Sequence, residues 1–274
     1  MTANLIDAMR AAGLAPAKPL ALGADGKLMR YDVEGDKSNS KNGWVVQHSH
    51  PAPAGAFGSW KTGASHTWCA QSAMPLTPAE RGEQQRQFKA MREARATELA
   101  SVQASAQARA AKLLAIARLA NDSHPYLQRK GVQAIGIRQL RDMLVIPARD
   151  VNGRLHTLQF ISPDGSKRFL SGGRITGCYY AMGRPFDSLL VAEGYSTGAT
   201  IFKATGAAVA VCFSCGNLLP VARALRDKFP RLRLVICADN DSATPGNPGV
   251  THAKAAARAV GGFLAVPKLV EVAT

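Results

Sequence analysis

Short apolar runs alternate with segments of helical periodicity through the last third of this 274-residue chain. Residues 188–192, 207–211 and 232–238 are rich in Val, Leu, Ile and Ala, as buried strands are. Strands that alternate with helices predict a parallel sheet with right-handed crossovers. A fourth apolar run at 263–266 supplies a last strand, so the sequence predicts an α/β fold. The helical segments between these runs are 196–205, 218–229 and 250–260.

Carboxylates follow two of the predicted strands. Glu193 comes directly after the first run, and Asp239 and Asp241 come directly after the third. Ligands gather at the carboxyl ends of the strands in such sheets, and carboxylates are the oxygen ligands that a hydrated Mg²⁺ requires. The three residues are therefore predicted catalytic and metal-binding residues. The alternative is an ordinary solvated loop, since turn-forming residues fill 242–249.

Three motifs in this region resemble the Toprim domain, which primases, topoisomerases and some nucleases share. They are VAEGYSTGATI at 191–201, ADNDSATPGNPG at 238–249 and GGFLAVP at 261–267. The resemblance covers about residues 186 to 267. It implies that Glu193 matches the family glutamate and that Asp239 and Asp241 match its Asp-x-Asp pair.

The segment before this region is basic and resembles the subdomain that precedes Toprim in bacterial replicative primases and in the primase part of satellite-phage and plasmid primase-helicases. The resemblance rests on a strand ending at Pro147, a turn, a second strand at 155–161 and a basic stretch at 166–173. The Tyr-Leu…Arg-Gly element at 126–131 resembles the opening of the same subdomain in phage-type primases. Nucleotide- or template-binding residues are expected at Arg141, Lys167, Arg168 and, on the last predicted helix, Lys254. Any one of these taken alone is equally compatible with an exposed solubilising side chain.

The primase resemblance implies a nucleotidyltransferase of the DNA-directed RNA polymerase type that makes primers during phage or plasmid replication. Its cofactor would be Mg²⁺ or Mn²⁺, and its partners a single-stranded DNA template, nucleoside triphosphates and a replicative helicase. Glu193 would either help to bind the metal or act as a general base. The sequence leaves both roles open.

Two other functions use the same features. A Toprim nuclease or topoisomerase fragment would break a phosphodiester with the same carboxylates, although no P-loop motif of an ATP-driven nuclease occurs in the sequence. A catalytically idle single-strand-binding protein would keep the fold and the positive charge. Three carboxylates argue against that alternative, because acidic groups weaken DNA binding unless a metal neutralises them.

Composition favours a polyanionic partner. The chain has 34 Lys and Arg against 19 Asp and Glu, a formal net charge of +15. Such an excess strengthens nucleic-acid binding through counterion release. Residues 1–13 include Asp7 and lack a long apolar stretch, so we expect neither a signal peptide nor a membrane segment and predict a cytoplasmic protein.

The rest of the chain predicts a modular organisation. We expect a small β-rich module at 1–76, a helical linker or arm at 77–120, the basic subdomain at 121–185 and the Toprim domain at 186–274. Pro78 follows a capping Thr at the start of the long Ala- and Arg-rich run, which favours one helix or two in series.

Cysteine and histidine give little sign of a zinc site. His48-x-His50 and His66-x-x-Cys69 could supply four ligands in principle, but both pairs are predicted to lie in loops. The single Cys-x-x-Cys pair, Cys212 and Cys215, is predicted to be two ordinary thiols.

Overall fold

The computed structural model describes residues 4–267 except 23–25, 50–52, 60, 63, 71–76, 241, 243 and 245. At residues 80, 84, 87, 88, 91, 94, 95 and 98 it describes the backbone alone. The chain forms two compact units, Met1–Glu98 and Leu99–Thr274. The finer four-part division expected from the sequence remains a prediction.

The first unit contains helix α1 and one antiparallel sheet, whose strands lie in the order β1-β2-β3-β4. Its core consists of apolar side chains from the helix and the sheet, including Met9, Val45 and Phe57. Trp44 is also buried. The elements are α1 (Leu5–Ala11), β1 (Met29–Tyr31), β2 (Gly43–His48), β3 (Ala54–Ser59) and β4 (Ser65–Cys69).

Three of the four residues considered as zinc ligands lie on strands rather than in loops. His48 ends β2, whereas His66 and Cys69 both lie on β4. Residues three apart on a strand point to opposite faces, so His66 and Cys69 cannot bind one ion from this strand. The His66 ring stacks instead on Phe57, with ring centroids 5.3 Å apart. His50 lies outside the described residues.

One continuous helix, α2 (Pro78–Ile116), runs from the first unit into the second. In the second unit its buried Ala106 and Ala110 face the sheet described next. The helix ends at Ile116, before the expected end at residue 120. Arg118 and Leu119 instead form a short strand, β5, that pairs with the chain at 138–139.

The first layer of the second unit is an antiparallel sheet in the order β5-β6-β7-β8-β9. One face packs through Val145, Leu158 and Phe160 against α2. The other face packs through Leu144 and Ile161 against the next layer. The elements after β5 are α3 (Pro125–Lys130), β6 (Arg138–Leu140), β7 (Met143–Arg149), β8 (Leu155–Ile161) and β9 (Lys167–Phe169).

The second layer is the predicted α/β sheet, with strands in the order β10-β12-β11-β13-β14. Four strands are parallel, as predicted, and β10 adds an antiparallel edge. Helices α5 and α6 pack on one face, and α4 packs on the other. The elements are β10 (Tyr180–Met182), β11 (Ser188–Ala192), α4 (Tyr195–Thr205), β12 (Ala208–Val211), α5 (Leu218–Lys228), β13 (Arg233–Cys237), α6 (Pro248–Ala259) and β14 (Phe263–Ala265).

No helix in the part of the chain that the structure describes is both long and apolar enough to cross a bilayer.

Candidate active site

Two of the predicted carboxylates lie at the same end of the parallel sheet, just past the carboxyl ends of two strands. Strands β11 and β13 are neighbours in parallel register, with Ala192 opposite Cys237. Glu193 directly follows β11, and Asp239 follows β13 by two residues. Because adjacent strands lie about 4.8 Å apart, the register brings the two acidic residues to one end of neighbouring strands. Asp241, the third predicted carboxylate, lies outside the described residues.

Two buried thiols lie near these acidic residues, since Cys237 ends β13 and Cys212 donates its N–H to Ala192 O. Burial, together with the negative charge of Asp239, raises the pKa of Cys237 to about 11. Burial and the charge of Glu193 likewise raise the pKa of Cys212. Burial therefore disfavours the thiolate form of both residues.

Thr197 is a site residue that the sequence analysis missed. It lies in the first turn of α4, and its Oγ1 donates a hydrogen bond of 3.2 Å to Asp239 Oδ1. The contact joins residues 42 positions apart in the chain, so no local pattern reveals it. The one available signal is position, because Thr197 lies four residues after Glu193 in the same motif.

Lys167 lies over the turn that carries Glu193. A Cβ built on Gly194 would be 3.9 Å from Lys167 Nζ and 3.9 Å from Thr197 Oγ1. Gly194 is the N-cap of α4 and has no capping side chain. An ammonium group and the N-terminal end of a helix both favour an anion, so this part of the site suits phosphate oxygens.

The side chain of Arg168 points to the opposite face of the sheet from that of Lys167. Lys167 pairs with Ile161, whereas Arg168 pairs with Phe160. Since side chains alternate along a strand, Arg168 lies on the face that packs against α2. Its guanidinium carbon is 5.5 Å from the centroid of the Phe160 ring. The two neighbouring basic residues are thus on opposite faces of the sheet.

Arg141 occupies the two-residue turn between β6 and β7, where Leu140 pairs with Met143. This turn lies at the same end of the sheet as Lys167, because Leu144 pairs with Ile161 and Ile161 with Lys167. Arg141 has a φ of 55°, a left-handed conformation that is uncommon for a residue other than glycine. Its side chain is exposed.

The last predicted basic residue, Lys254, lies on α6 with its side chain exposed, as does the neighbouring His252. Asn240, the middle residue of Asp-x-Asp, contacts the start of this helix. Its side chain donates to Pro267 O and accepts from Asn247, the N-cap of α6.

The donor set fits a hard divalent ion. Glu193 and Asp239 would supply carboxylate oxygens, which are the ligands that such an ion prefers. Among the residues that the structure describes, which do not include Asp241, no group of three or more His, Cys, Asp or Glu is arranged around one point. Completion of the site by Asp241 therefore remains a prediction.

Positive charge is concentrated in the unit that contains this site. Leu99–Thr274 has 22 Lys and Arg against 10 Asp and Glu, a formal net charge of +12. Met1–Glu98 has 12 against 9, a net charge of +3. The electrostatic attraction for a polyanion therefore comes mainly from the second unit.

Comparison with known protein families defines the class to which this fold and site belong. Residues 188–267 match the Toprim domain. The match begins at β11 and ends two residues after β14, so it includes both described carboxylates. The chain therefore contains a Toprim domain, and the resemblance noted in its motifs is confirmed.

Particular relatives extend the similarity beyond this domain. The chain is 36% identical to a DNA primase TraC of Escherichia coli over 255 residues, which cover 89% of this chain and 24% of the relative. A second DNA primase TraC of Escherichia coli is 36% identical over 279 residues, which cover 95% of this chain and 19% of that protein. The chain thus spans about a quarter or less of the curated relatives it matches. The predicted resemblance to primases is confirmed over most of the chain.

Solved structures show a fainter likeness. The primase fragment of the bacteriophage T7 primase-helicase protein has a TM-score of 0.41 and 13% identity, covering 56% of this chain and 66% of that chain. The DnaG primase catalytic domain bound to ssDNA has a TM-score of 0.41 and 14% identity, covering 64% of this chain and 74% of that chain.

Proposed function

We propose that this chain is a DNA primase that makes short oligonucleotide primers on single-stranded DNA by metal-dependent nucleotidyl transfer, in plasmid or phage replication. The 36% identity to DNA primase TraC over 89% of the chain carries the proposal. Two observations support it: carboxylates follow the carboxyl ends of two neighbouring Toprim strands, and the same unit has a net charge of +12.

In the proposed reaction, the 3′-hydroxyl attacks the α-phosphate of the incoming nucleoside triphosphate, and pyrophosphate leaves. Asp239 and Asp241 would hold Mg²⁺ or Mn²⁺, and Glu193 would either join them or remove the proton from the attacking hydroxyl. The bound ion supplies charge neutralisation at the phosphates and lowers the pKa of the hydroxyl. Thr197 holds the Asp239 carboxylate in one orientation through its hydrogen bond.

The basic residues have separate proposed roles. Lys167, beside the N-terminus of α4, binds the triphosphate of the incoming nucleotide. Arg141, exposed at the same end of the sheet, binds template or triphosphate oxygens. Lys254 is proposed to extend this surface. Arg168 can contribute to template binding on the opposite face of its sheet.

The proposed partners are the single-stranded template, nucleoside triphosphates and a replicative helicase. The helicase proposal follows from the primase resemblance. It predicts that a cognate helicase raises the amount of primer made per enzyme, which co-incubation would measure.

The test is primer synthesis from labelled nucleoside triphosphates on single-stranded DNA with Mg²⁺. We expect products from the intact chain and a loss of at least about a hundredfold in the Asp239→Asn, Asp241→Asn double variant. Asp227→Asn is the matched control, because Asp227 is an exposed carboxylate at the end of α5. It should retain full activity.

Two outcomes would reject the proposal. Shortening of the DNA strand by the intact chain would indicate a nuclease that uses the same carboxylates. Tight binding of single strands with no product under either metal would indicate a binding protein.

A further inference from the structure

Phe213 has a strained backbone at the edge of the site. It follows β12 by two residues, and its φ is 73°. The preceding residue, Cys212, donates its N–H to Ala192 O, next to Glu193. Aromatic residues rarely adopt left-handed conformations, and such strain persists only where surrounding contacts impose it.

Phe213 is held in part by a contact with β9. Its ring meets that of Phe169 edge to face, with centroids 5.5 Å apart and planes at 84°. It also packs against the buried cluster that includes Tyr195 and Val211. The ring thus joins the carboxyl end of one sheet to the edge strand of the other.

Lys167 lies two residues before Phe169 on the same strand. The two side chains share a face because side chains alternate along β9. The strand is three residues long and lies at the edge of its sheet, so β8 is the one strand that pairs with it. The aromatic contact is a second restraint, applied on the face from which Lys167 reaches Gly194.

We infer that Phe213 is a positioning residue for Lys167: its ring, aimed by the left-handed backbone, fixes β9 so that the ammonium group lies over Gly194 at the N-terminus of α4. The inference rests on the proposed function, because it assigns Lys167 to the triphosphate. A residue that only filled space in the core would gain nothing from this backbone conformation.

A double-mutant cycle tests the inference. Phe213→Leu keeps an apolar side chain but loses the aromatic edge, and Lys167→Ala removes the positioned group. We expect each to raise the KM for nucleoside triphosphate about tenfold with kcat changed less than threefold. The double variant should be no worse than Lys167→Ala, because the ring acts only through the lysine. Independent roles would instead multiply to about a hundredfold.

Three further variants separate positioning from folding. Phe213→Tyr keeps the ring edge and should restore the KM, whereas Phe213→Asn, which tolerates the left-handed backbone, should fold and still show the raised KM. Phe186→Leu alters a phenylalanine that is 96% exposed before β11 and should leave the KM unchanged. Thermal unfolding of every variant shows whether it is folded.

Titration calorimetry of ATP binding in the presence of Mg²⁺ measures the coupling in the same double-mutant cycle without primer synthesis. If ATP binds with the expected coupling but no primer forms, the proposed function fails and the positioning role stands. If primers form and the effects of Phe213→Leu and Lys167→Ala multiply, or Phe213→Leu has no effect, the positioning role is overturned. Failure of the unmodified chain to bind ATP overturns both.

Discussion

At the scale of single residues, the hydroxyl of Thr197 controls the orientation of a proposed metal ligand. Its hydrogen bond to Asp239 satisfies one lone pair of that carboxylate and restricts its rotation. A typical hydrogen bond of this kind contributes about 1 kcal/mol. Its loss should appear in metal affinity rather than in folding, because the bond lies at the end of the sheet and not in the core.

Thr197→Val should therefore raise the Mg²⁺ concentration for half-maximal primer synthesis about fivefold, since 1 kcal/mol corresponds to roughly that factor. Thr197→Ser keeps the hydroxyl and should behave like the unmodified chain. A metal titration of both variants provides the measurement. Equal metal dependence in the two variants would show that the hydrogen bond has no role in metal binding.

Cys237 predicts how stability depends on pH. Burial, with the charge of Asp239, raises its pKa from 9.0 to about 11, so the folded chain holds a proton that the unfolded chain releases above pH 9. The free energy of unfolding should fall between pH 9 and 11, by about 2 kcal/mol from this residue. Below pH 9 both states are protonated and the contribution is constant.

Thermal unfolding from pH 8 to 11 measures this decline, and the matched variant is Cys237→Ala. Other buried groups, including Cys212 and Tyr180, add a decline of the same sign, so the comparison isolates one thiol. A variant whose stability falls as steeply as that of the unmodified chain would contradict the assignment.

At the scale of elements, Asn217 holds the loop between the two layers of the second unit. Its buried side chain accepts from Gly177 N–H, and its two amide hydrogens are shared among the carbonyl oxygens of Ile175, Cys178 and Cys212. These groups belong to the loop before β10 and to the end of β12. The amide therefore holds the loop that follows the first layer against the Toprim sheet.

Asn217→Ala should lower the free energy of unfolding by about 3 kcal/mol, because it leaves several buried polar groups without partners. Asn152→Ala, at an exposed turn position, is the control and should change stability by less than about 0.5 kcal/mol. Chemical denaturation compares the two. A loss for Asn217→Ala as small as that of the control would show that water replaces the amide.

Element by element, the sequence predicted the Toprim region closely and the basic subdomain less fully. Periodicity places the parallel strands and their helices within about two residues, since a buried strand and an amphipathic helix leave repeating patterns. Strand β5 has two residues and is exposed, so it leaves no pattern. The opposite directions of Lys167 and Arg168 depend on where a three-residue strand begins. The Thr197–Asp239 contact and the backbone of Phe213 arise from tertiary packing, which local patterns do not contain.

At the scale of the whole molecule, the asymmetry of charge predicts strong salt dependence of DNA binding. A polyanion that contacts about six of the basic groups in Leu99–Thr274 releases a counterion at each. The logarithm of the association constant for single-stranded DNA should then fall with the logarithm of salt concentration with a slope of about −4.

Fluorescence anisotropy of a labelled single strand, recorded at salt concentrations from about 50 to about 300 mM, measures this slope. Replacing a phosphate-contacting basic residue by alanine should reduce the magnitude of this slope by about 0.7. Arg141→Ala is the first variant to compare. A slope near zero would show that the positive charge does not bind the nucleic acid backbone.

The most direct test of the primase proposal is to sequence what the protein makes. The intact chain would be incubated with Mg²⁺, labelled nucleoside triphosphates and a circular single-stranded DNA of known sequence. We predict short oligonucleotides complementary to that template, which are absent when Asp239→Asn replaces the intact chain. Oligonucleotides unrelated to the template, or linearised circles with no new strand, would contradict the proposal.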